Sequence, residues 1–489
     1  MCGKMLLMRI VFPWFGMIWV AVLSLATVSM AEQRYENFDH DPGWDGHNNR
    51  STAMPVKTVV QEFGYRASEH PSKSLGKVGG VISPDGKPAY YAQVISLKTF
   101  QDPVSASGTL FVNKGAGNTL LGFFNHNTIN EWRTPNSIVL RINGRGGIFH
   151  VHVEYASSRW RAGASVIGRV DRVADRVYPT EVPSQGVHTW SMAYDPNGNN
   201  GGGCIQVAFD GETTVCNLES GHKADGATFD RFGILNVVKS VDSPGEIWID
   251  DVVINGKPQS FDTDPGWEGL RNCATYQSDE VRPRFNFGYS ATKHAGGGAA
   301  GEIGGLFFRG DCRYLERLAY YGDRLGALTL KGPLRASGKV VLLRAVSDST
   351  TLFGFFHSEH SVHVNESQAS AAPKDFLGLC IEGPSRDGFY VYPSYRVHGA
   401  EEGSGSREDP PHILPDGTVH TWTLEYDPSG AEEPGKIRLT LDNGCVELPF
   451  PREHKAIGAQ FNRFGFVTPW IDGNGQRVYF DDLEYTCGQ

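Results

Sequence analysis

An internal repeat is the feature that most constrains how this 489-residue chain can fold. The sequence Phe-Asp-His-Asp-Pro-Gly-Trp-Asp-Gly at 38–46 recurs as Phe-Asp-Thr-Asp-Pro-Gly-Trp-Glu-Gly at 261–269. Further landmarks recur in the same order: Phe-Gly-Tyr at 63–65 and 287–289, Gly-Phe-Phe at 122–124 and 354–356, His-Thr-Trp at 188–190 and 420–422, and Arg-Phe-Gly at 231–233 and 463–465. A repeat of this kind indicates two copies of one structural unit. We therefore predict copy one at residues 32–258 and copy two at residues 259–489.

Each copy consists of short strand-like runs separated by turn sequences. In copy one, the segments 119–124, 137–142, 149–155 and 189–194 have the composition and alternation typical of β-strands. The joins between such segments are rich in Gly, Asn, Asp and Pro, and no segment combines helical periodicity with start and stop signals. This pattern predicts an all-β fold of two packed sheets in each copy, a β-sandwich or jelly roll.

The last strands of each copy carry a family resemblance. The pattern that runs from Phe229 through Ile247 to Val253 resembles the closing strands of concanavalin A-like jelly rolls, which include lectins, glucanases and laminin-G-like domains. The run from His188-Thr-Trp to Val207-Ala-Phe-Asp-Gly is similar to the same superfamily, and both copies share it. The resemblance implies two tandem concanavalin A-like β-sandwiches, each with a concave sheet that usually meets carbohydrate. It matches no enzyme family and is silent about chemistry.

The beginning of the chain has the order of a secretory signal peptide. Lys4 and Arg9 precede an apolar stretch at residues 10–25, and small residues follow at Ser29 and Ala31. This order predicts a signal peptide at residues 1–31 that is removed from the mature protein. The predicted location is secreted, periplasmic or at the cell surface, with no membrane partner after cleavage.

The net charge and the cysteine positions limit which binding partners and which disulfide bonds are expected. The formal net charge is −10, which argues against nucleic acid as a partner. Cysteines can pair outside the cell, and Cys204 and Cys216 flank a predicted hairpin, where they could face each other. The charge does not name a ligand; the expected partner, a polysaccharide or glycoconjugate, is what the resemblance to concanavalin A-like jelly rolls implies. A disulfide between Cys204 and Cys216 is one possibility at this hairpin.

Residues shared by both copies most simply serve the fold. Each Asp-Pro-Gly-Trp sequence is typical of a turn whose Trp covers one end of the sandwich. The alternative is a structural calcium ion, since in similar jelly rolls a metal often ties the opening segment to the last strand. The carboxylates available for it are Asp39 or Asp41 with Asp250 or Asp251 in copy one, and Asp262 or Asp264 with Asp481 or Asp482 in copy two.

Residues that differ between the copies are better functional candidates, because each unit folds without them. The strand at 149–155 alternates strictly, and its polar face carries His150, His152 and Glu154. The preceding strand adds Arg141 and Asn143. Flanking loops add two aromatic–basic pairs: Trp132 with Arg133, and Trp160 with Arg161.

This constellation supports glycan binding and a polysaccharide lyase. In the first interpretation, carboxylate, amide and guanidinium groups bind hydroxyls while Trp stacks on sugar rings. In the second, Arg141 or Asn143 neutralises a uronate carboxylate, His150 or His152 takes the C5 proton, and Tyr155 or another Tyr protonates the leaving oxygen. Jelly-roll alginate lyases are similar in showing Arg, His and Tyr on a concave face.

Three further interpretations use the same strand. A glycosidase needs two carboxylates about 5 to 9.5 Å apart, and this strand offers Glu154 alone. His150, His152 and Glu154 could also hold a transition metal. The remaining interpretation is a solvated polar face on a half-buried strand.

In copy two, an aromatic set replaces the ionisable one. His150, His152 and Glu154 correspond to Tyr390, Tyr392 and Ser394, while Arg141 and Asn143 correspond to Cys380 and Glu382. Tyr390, Tyr392 and Glu382 are therefore candidate ligand-binding residues. Copy two also carries a histidine-rich run after its Gly-Phe-Phe: His357, Glu359, His360 and His363. Glycan recognition is the predicted function; the alternatives are a polysaccharide-cleaving enzyme, with its site on copy one, and a structural or adhesion protein.

Overall fold

The computed structural model describes residues 32–488, apart from 52–55, 68–74, 115–117, 130–133, 172–175, 240–242, 279–281, 368–369, 386–387 and 430–433. The predicted signal peptide lies outside the described residues. Strands dominate among these residues, as predicted, and the two α-helices found in them are short: α1 (His222–Asp225) and α2 (Arg452–Ile457). In this part of the chain no helix is long and apolar enough to cross a bilayer.

The strands fall into three stretches of sequence. The first stretch holds β1 (Glu32–Glu36) and β2 (Asp45–His47). The second holds β3 (Lys57–Arg66), β4 (Lys77–Ile82), β5 (Tyr90–Thr99), β6 (Val104–Lys114), β7 (Asn118–Phe124), β8 (Ser137–Arg145), β9 (Ile148–Ala156), β10 (Ala162–Val166), β11 (Gly168–Asp171), β12 (Arg176–Pro179), β13 (Val182–Pro183), β14 (Val187–Asp195), β15 (Cys204–Phe209), β16 (Glu212–Asn217), β17 (Thr228–Asn236), β18 (Gly245–Ile254), β19 (Lys257–Pro258), β20 (Glu268–Leu270) and β21 (Cys273–Ser278). The third holds β22 (Phe285–Ser290), β23 (Glu302–Phe308), β24 (Tyr320–Thr329), β25 (Leu334–Ala345), β26 (Ser349–Phe356), β27 (Phe376–Ser385), β28 (Gly388–Arg396), β29 (Glu402–Ser404), β30 (His412–Ile413), β31 (Val419–Asp427), β32 (Gly435–Leu441), β33 (Gly444–Phe450), β34 (Gln460–Val467) and β35 (Gly475–Cys487).

The first sandwich consists of two antiparallel sheets. Its front sheet has the order β10-β9-β8-β7-β17-β5-β20, and its back sheet has the order β16-β15-β14-β6-β18-β4-β3-β21. Alternation fills the space between them: along β14, Trp190, Met192 and Tyr194 are buried while the residues between them are exposed. Burial of each such large side chain contributes roughly 1.5–3 kcal/mol, so this core holds the two sheets together.

The second sandwich repeats this plan. Its front sheet has the order β2-β24-β34-β26-β27-β28-β29, and its back sheet has the order β22-β23-β35-β25-β31-β32-β33 with β1 added on β35. The prediction of an all-β chain with two tandem β-sandwiches is therefore confirmed.

The opening segment of the chain packs in the second sandwich, not in the first. Glu36 of β1 pairs with Leu483, and Asp45 of β2 pairs with Gly322. Phe38 and Trp44, which lie between these strands, are buried in the second core. The division predicted at residue 258 is therefore not the division between packed units.

Each Asp-Pro-Gly-Trp segment packs in the sandwich of the other copy. The equivalent motif residues Phe261 and Trp267 lie in the core of the first sandwich, because the turn after β18 folds the following segment back onto its own sandwich. The second sandwich is completed by residues 32–47.

The predicted hairpin at Cys204 and Cys216 forms with a register that separates the two thiols. Cys216 lies opposite Ile205, and Cys204 lies opposite Asn217. Because neighbouring residues of a strand point to opposite faces, the two cysteines lie on different faces of the sheet. Both are free thiols.

Candidate functional site

Strands β8 and β9 place the polar set of copy one on the face of the front sheet that points away from the main core. Arg141 lies opposite His152, and Asn143 lies opposite His150. Their neighbours Val151 and Val153 point the other way, into the core. The strand register therefore brings the two imidazoles, the guanidinium and the amide together on one face.

Arg141 is engaged in a buried network with neighbouring side chains. Its Nε donates to Glu154 Oε1 over 2.7 Å, and its Nη1 donates to Asn118 Oδ1 over 3.0 Å. The side chains of Arg141 and Glu154 are 10% and 3% exposed. The positive charge that a lyase would offer to a uronate carboxylate is therefore already neutralised by a buried carboxylate.

The two histidines of this face do not form a metal site with Glu154. Burial, reinforced by the charge of Arg141, lowers the pKa of His152 to about 3. His150 Nδ1 lies 3.1 Å from the carbonyl oxygen of Thr180. Among the described residues, the group of side chains close enough to share a metal contains none of these three. A base with so low a pKa is also poorly matched to proton abstraction near pH 7.

Tyr155 lies on the opposite face of β9, in the core. It is about 1% exposed. Its hydroxyl lies 2.9 Å from His222 Nδ1 and accepts a hydrogen bond from the backbone N–H of Glu219 over 2.8 Å. Because side chains alternate along a strand, Tyr155 cannot share a substrate with His152. Its prediction as the acid of a lyase is wrong.

The flanking loops of copy one do not supply the predicted contacts. Arg161 forms a two-fold ion pair with Asp225, at 2.6 and 2.9 Å, which ties its loop to α1. Trp160 is half-buried, and its indole N–H is buried with no acceptor. Trp132 and Arg133 lie outside the described residues. The guanidinium of Arg161 is thus engaged by Asp225, and its role in substrate binding stays a prediction.

Strands β27 and β28 confirm the correspondence between the two copies. Tyr392 lies opposite Cys380, and Tyr390 lies opposite Glu382, as His152 and His150 lie opposite Arg141 and Asn143. Ser394 lies opposite Gly378, where copy one pairs Glu154 with Val139. The residues in equivalent positions can therefore be compared one by one.

Glu382 and Tyr392 form a hydrogen-bonded group in copy two. Tyr392 donates to Glu382 Oε2, and Thr350 donates to Glu382 Oε1 over 3.0 Å. Arg309 Nη2 lies 2.7 Å from the same Oε1. Burial raises the pKa values of the Tyr392 hydroxyl and the Cys380 thiol above their ordinary ranges, so both groups are neutral near pH 7. Tyr392 is held in place by this group.

A cavity of about 380 Å³ lies on the same face. Its walls carry an aromatic ring, a thiol, hydroxyls, a carboxylate and a guanidinium: Tyr392, Cys380, Ser370, Ser394, Ser404, Ser406, Glu402 and Arg407. Where copy one has the large Arg141 and Glu154, copy two has the small Cys380 and Ser394. The cavity therefore occupies the place that the buried ion pair fills in copy one.

Of the predicted copy-two residues, Tyr392 lines this cavity, while Glu382 supports it from behind. Tyr390 is half-buried and its ring lies 4.6 Å from that of His412. Sequence reasoning missed Glu402 and Arg407, which come from β29 and the following loop. No local pattern marks them, because the pairing of β29 with β28 alone brings them to this face.

The aspartates predicted to bind calcium are used in local hydrogen bonds. Asp41 Oδ1 accepts from the backbone N–H of Gly43, and Asp264 Oδ1 accepts from that of Gly266, both over 2.9 Å. Asp250 and Asp481 each accept from the next backbone N–H, that of Asp251 and Asp482. Asp39 and Asp262 contact the side chains of their neighbours two residues back.

Because each Asp-Pro-Gly-Trp segment packs in the sandwich of the other copy, the aspartates predicted to share a calcium ion belong to different sandwiches. Asp39 and Asp41 belong to the segment that packs beside Asp481 and Asp482, whereas the prediction paired them with Asp250 or Asp251. In the described part of the chain, the group of three side chains that could hold a metal contains none of these aspartates. The pairing on which the calcium prediction rested is therefore wrong.

The carboxyl group of Asp481 is expected to make the stability of the second sandwich depend on pH. Burial, together with the nearby carboxylates of Asp482 and Glu302, raises its pKa to about 6, and its Oδ2 has no hydrogen-bond partner. Since this value exceeds the unfolded one of about 3.9, the group's contribution to the free energy of unfolding falls as pH rises from about 4 to about 6. We expect Asp481→Asn to raise the Tm of the second sandwich at pH 7 and to leave it unchanged below pH 4, measured by calorimetry.

The matched control is Asp482→Asn on the next residue. Asp482 pairs with Lys339 over 2.7 Å, so its replacement removes a favourable interaction and should not raise the Tm. An Asp481→Asn gain that is equal at pH 4 and pH 7 would contradict the assignment.

Comparison with known proteins gives matches among solved structures alone: no protein-family model matches the chain, and no curated protein matches its sequence. Domains LG4-5 of the mouse laminin alpha1 chain are 14% identical, with 86% of this chain and 84% of that chain covered and a TM-score of 0.23. Peanut lectin is 14% identical, with 42% and 90% covered and a TM-score of 0.26. A polysaccharide lyase of family 18 is 12% identical, with 45% and 93% covered and a TM-score of 0.24. At these TM-scores the likeness carries no argument about what this chain does.

Proposed function

We propose that this protein recognises glycans outside the cell or in the periplasm, and that it binds them in the cavity on the front sheet of the second sandwich. The observation that carries the proposal is the cavity itself, of about 380 Å³, with an aromatic ring and several hydroxyls in its walls. Ligand sites typically have volumes of about 300–1,000 Å³. The volume therefore suits one or two sugar units.

The chemistry of the cavity walls matches that of a sugar. Glu402 accepts hydrogen bonds from hydroxyls, Arg407 donates them, and Ser394 and Ser404 can do either. The ring of Tyr392 provides apolar surface for the C–H face of a pyranose, and its hydroxyl is fixed by Glu382. Because hydroxyl groups, rather than cations, dominate the walls, we expect preference for neutral over uronate or sulfated glycans.

Binding without cleavage fits the geometry better than catalysis. A glycosidase requires two carboxylates that flank the scissile bond. Glu402 is the one carboxylate among the residues that line the described cavity, and Glu382 is engaged by Tyr392, Thr350 and Arg309. In copy one, the lyase set is divided between two faces of β9. The proposed function is therefore that of a binding protein.

The test transfers the ion pair of copy one into copy two. Cys380→Arg combined with Ser394→Glu fills the cavity with the side chains that the same positions carry in copy one. We expect the affinity for neutral polysaccharide to fall at least about tenfold, which corresponds to about 1.4 kcal/mol, in affinity gel electrophoresis and calorimetry. Binding by the parent protein must leave polymer length unchanged.

The control is Glu62→Gln, an exposed substitution on the first sandwich. Undiminished retention of the double variant, with its fold intact by circular dichroism, would place the glycan site elsewhere. New ultraviolet absorbance or new reducing ends from any polysaccharide would instead establish a lyase or a hydrolase. A protein that no glycan retains would have the structural or adhesion role.

A further inference from the structure

Three side chains of the second sandwich, none of which lines the proposed glycan cavity, converge at the end of its front sheet. His360 Nδ1 lies 2.6 Å from Asp375 Oδ2, and His398 Nδ1 lies 2.9 Å from the same oxygen. All three ligand atoms lie within 4.8 Å of one another. They come from separate stretches of chain: the loop after β26, the turn before β27 and the loop after β28.

The carboxylate of Asp375 is buried and requires a compensating positive charge. Its side chain is fully buried, and its ion-pair partners among the described residues are these two imidazoles. Asp375 Oδ1 accepts a hydrogen bond from the backbone N–H of Gln460 over 3.2 Å, which orients the carboxylate. A buried carboxylate is costly unless a cation or a metal compensates it. Oriented carboxylates of this kind are typical of metal sites.

Copy one shows that the fold does not require these ionisable residues. The register of β7 with β8 and of β26 with β27 makes Asn136 the equivalent of Asp375, and the register of β8 with β9 and of β27 with β28 makes Ser158 the equivalent of His398. Thr128 corresponds to Ser361 rather than to His360, because their hydroxyls donate to the carbonyls of Pro135 and Lys374, the residues before Asn136 and Asp375. Asn136 keeps the backbone hydrogen bond of its counterpart, since its Oδ1 accepts from Thr228 N–H over 3.0 Å. The capping role is therefore common to both copies. The two imidazoles and the negative charge are additions in copy two.

We infer that His360, Asp375 and His398 bind one divalent transition-metal ion, with Zn²⁺ the best suited. Two imidazoles and one carboxylate form a ligand set that zinc uses when a fourth position is left to water or to a ligand. His398 also lines a cavity of about 820 Å³, so the ion can be reached from solvent. This inference uses none of the residues of the glycan cavity and does not depend on it.

His357 supports the site without being a ligand. Its ring stacks on that of His360 with centroids 3.8 Å apart. Its Nδ1 accepts from the backbone N–H groups of Glu359 and His360, at 3.3 and 3.4 Å. The stacked ring fixes the orientation of the His360 imidazole.

The test is isothermal titration of the mature protein, stripped of metal with EDTA, with ZnCl₂. We expect one Zn²⁺ per chain and a rise in the Tm of the second sandwich on binding. Asp375→Asn and His398→Ser install the copy-one residues, and His360→Thr removes the third ligand. Each should weaken binding at least about tenfold, since even loss of an outer contact to a metal ligand costs that much.

Two histidines serve as controls. His363→Ala changes an exposed histidine near the same loop, and His150→Ala changes the metal site predicted in copy one. Both should leave Zn²⁺ affinity and stoichiometry unchanged. Failure of the folded parent protein to bind Zn²⁺, or binding that survives both Asp375→Asn and His398→Ser, would overturn the inference and leave the cluster as a hydrogen-bonded lock between loops. Neither outcome alters the expected glycan retention, so the two proposals can fail separately.

Discussion

Trp44→Ala is expected to destabilise the second sandwich by about 3–5 kcal/mol and to leave the first sandwich unchanged. Trp44 is buried against Phe38, Tyr321 and Tyr485, with ring centroids 5.3, 5.7 and 6.1 Å away. Its removal opens a cavity where the opening segment docks on the second core. Urea unfolding with hydrogen exchange by mass spectrometry measures both sandwiches in one sample.

Trp267→Ala is the matched variant. Trp267 occupies the equivalent position in the first core, against Tyr91 and Phe261 at 5.8 and 5.4 Å. The Trp267→Ala substitution should destabilise the first sandwich by a similar amount. Deletion of residues 32–47 should have the larger effect on the second sandwich, because β1 and β2 leave with it. Faster hydrogen exchange in β3 and β6 of the Trp44→Ala variant would contradict the packing of residues 32–47 in the second sandwich.

Glu154→Gln should lower the free energy of unfolding of the first sandwich by about 3–5 kcal/mol. The substitution keeps the shape of the side chain but leaves the guanidinium of Arg141, whose side chain is 10% exposed, without its buried counter-charge. The double variant Arg141→Met/Glu154→Leu removes both charges and should recover most of the loss, since well-packed apolar pairs replace buried ion pairs at little cost. Urea unfolding of the three proteins gives the comparison.

An exposed ion pair provides the control for that series. Glu62 and Arg66 lie 3.3 Å apart with side chains 64% and 43% exposed, so Glu62→Gln should cost at most about 1 kcal/mol. Equal small losses for Glu62→Gln and Glu154→Gln would mean that Glu154 is hydrated and that the face of β9 is open.

Much of the architecture follows from the sequence alone, for local reasons. Alternation is a property of a single strand, so the separation of His150 and His152 from Val151 and Val153 is readable without a structure. The same local logic, applied to two equivalent strands, matched Arg141 with Cys380. The repeated motifs occur twice in the sequence, so two sandwiches are predicted from it.

Other features depend on contacts between distant residues. Arg141 and Glu154 form an ion pair through a diagonal contact between neighbouring strands. The sequence pattern placed both side chains on one face, but that pattern is equally compatible with a shared ligand site. Glu402 reaches the glycan cavity because β29 pairs with β28. Asp375 and His398 carry no local signal, and the histidine-rich run after Gly-Phe-Phe contains only one member of the cluster, His360.

The sequence by itself determined that this protein is an all-β chain of two similar sandwiches whose polar faces have diverged. Strand periodicity and repetition are encoded locally, residue by residue. The tertiary structure alone decided that residues 32–47 complete the second sandwich, that Arg141 is neutralised, and that Cys380 and Ser394 leave a cavity. Each of these depends on which distant segment occupies a given space, and that is set by chain connectivity and side-chain volume rather than by any local pattern.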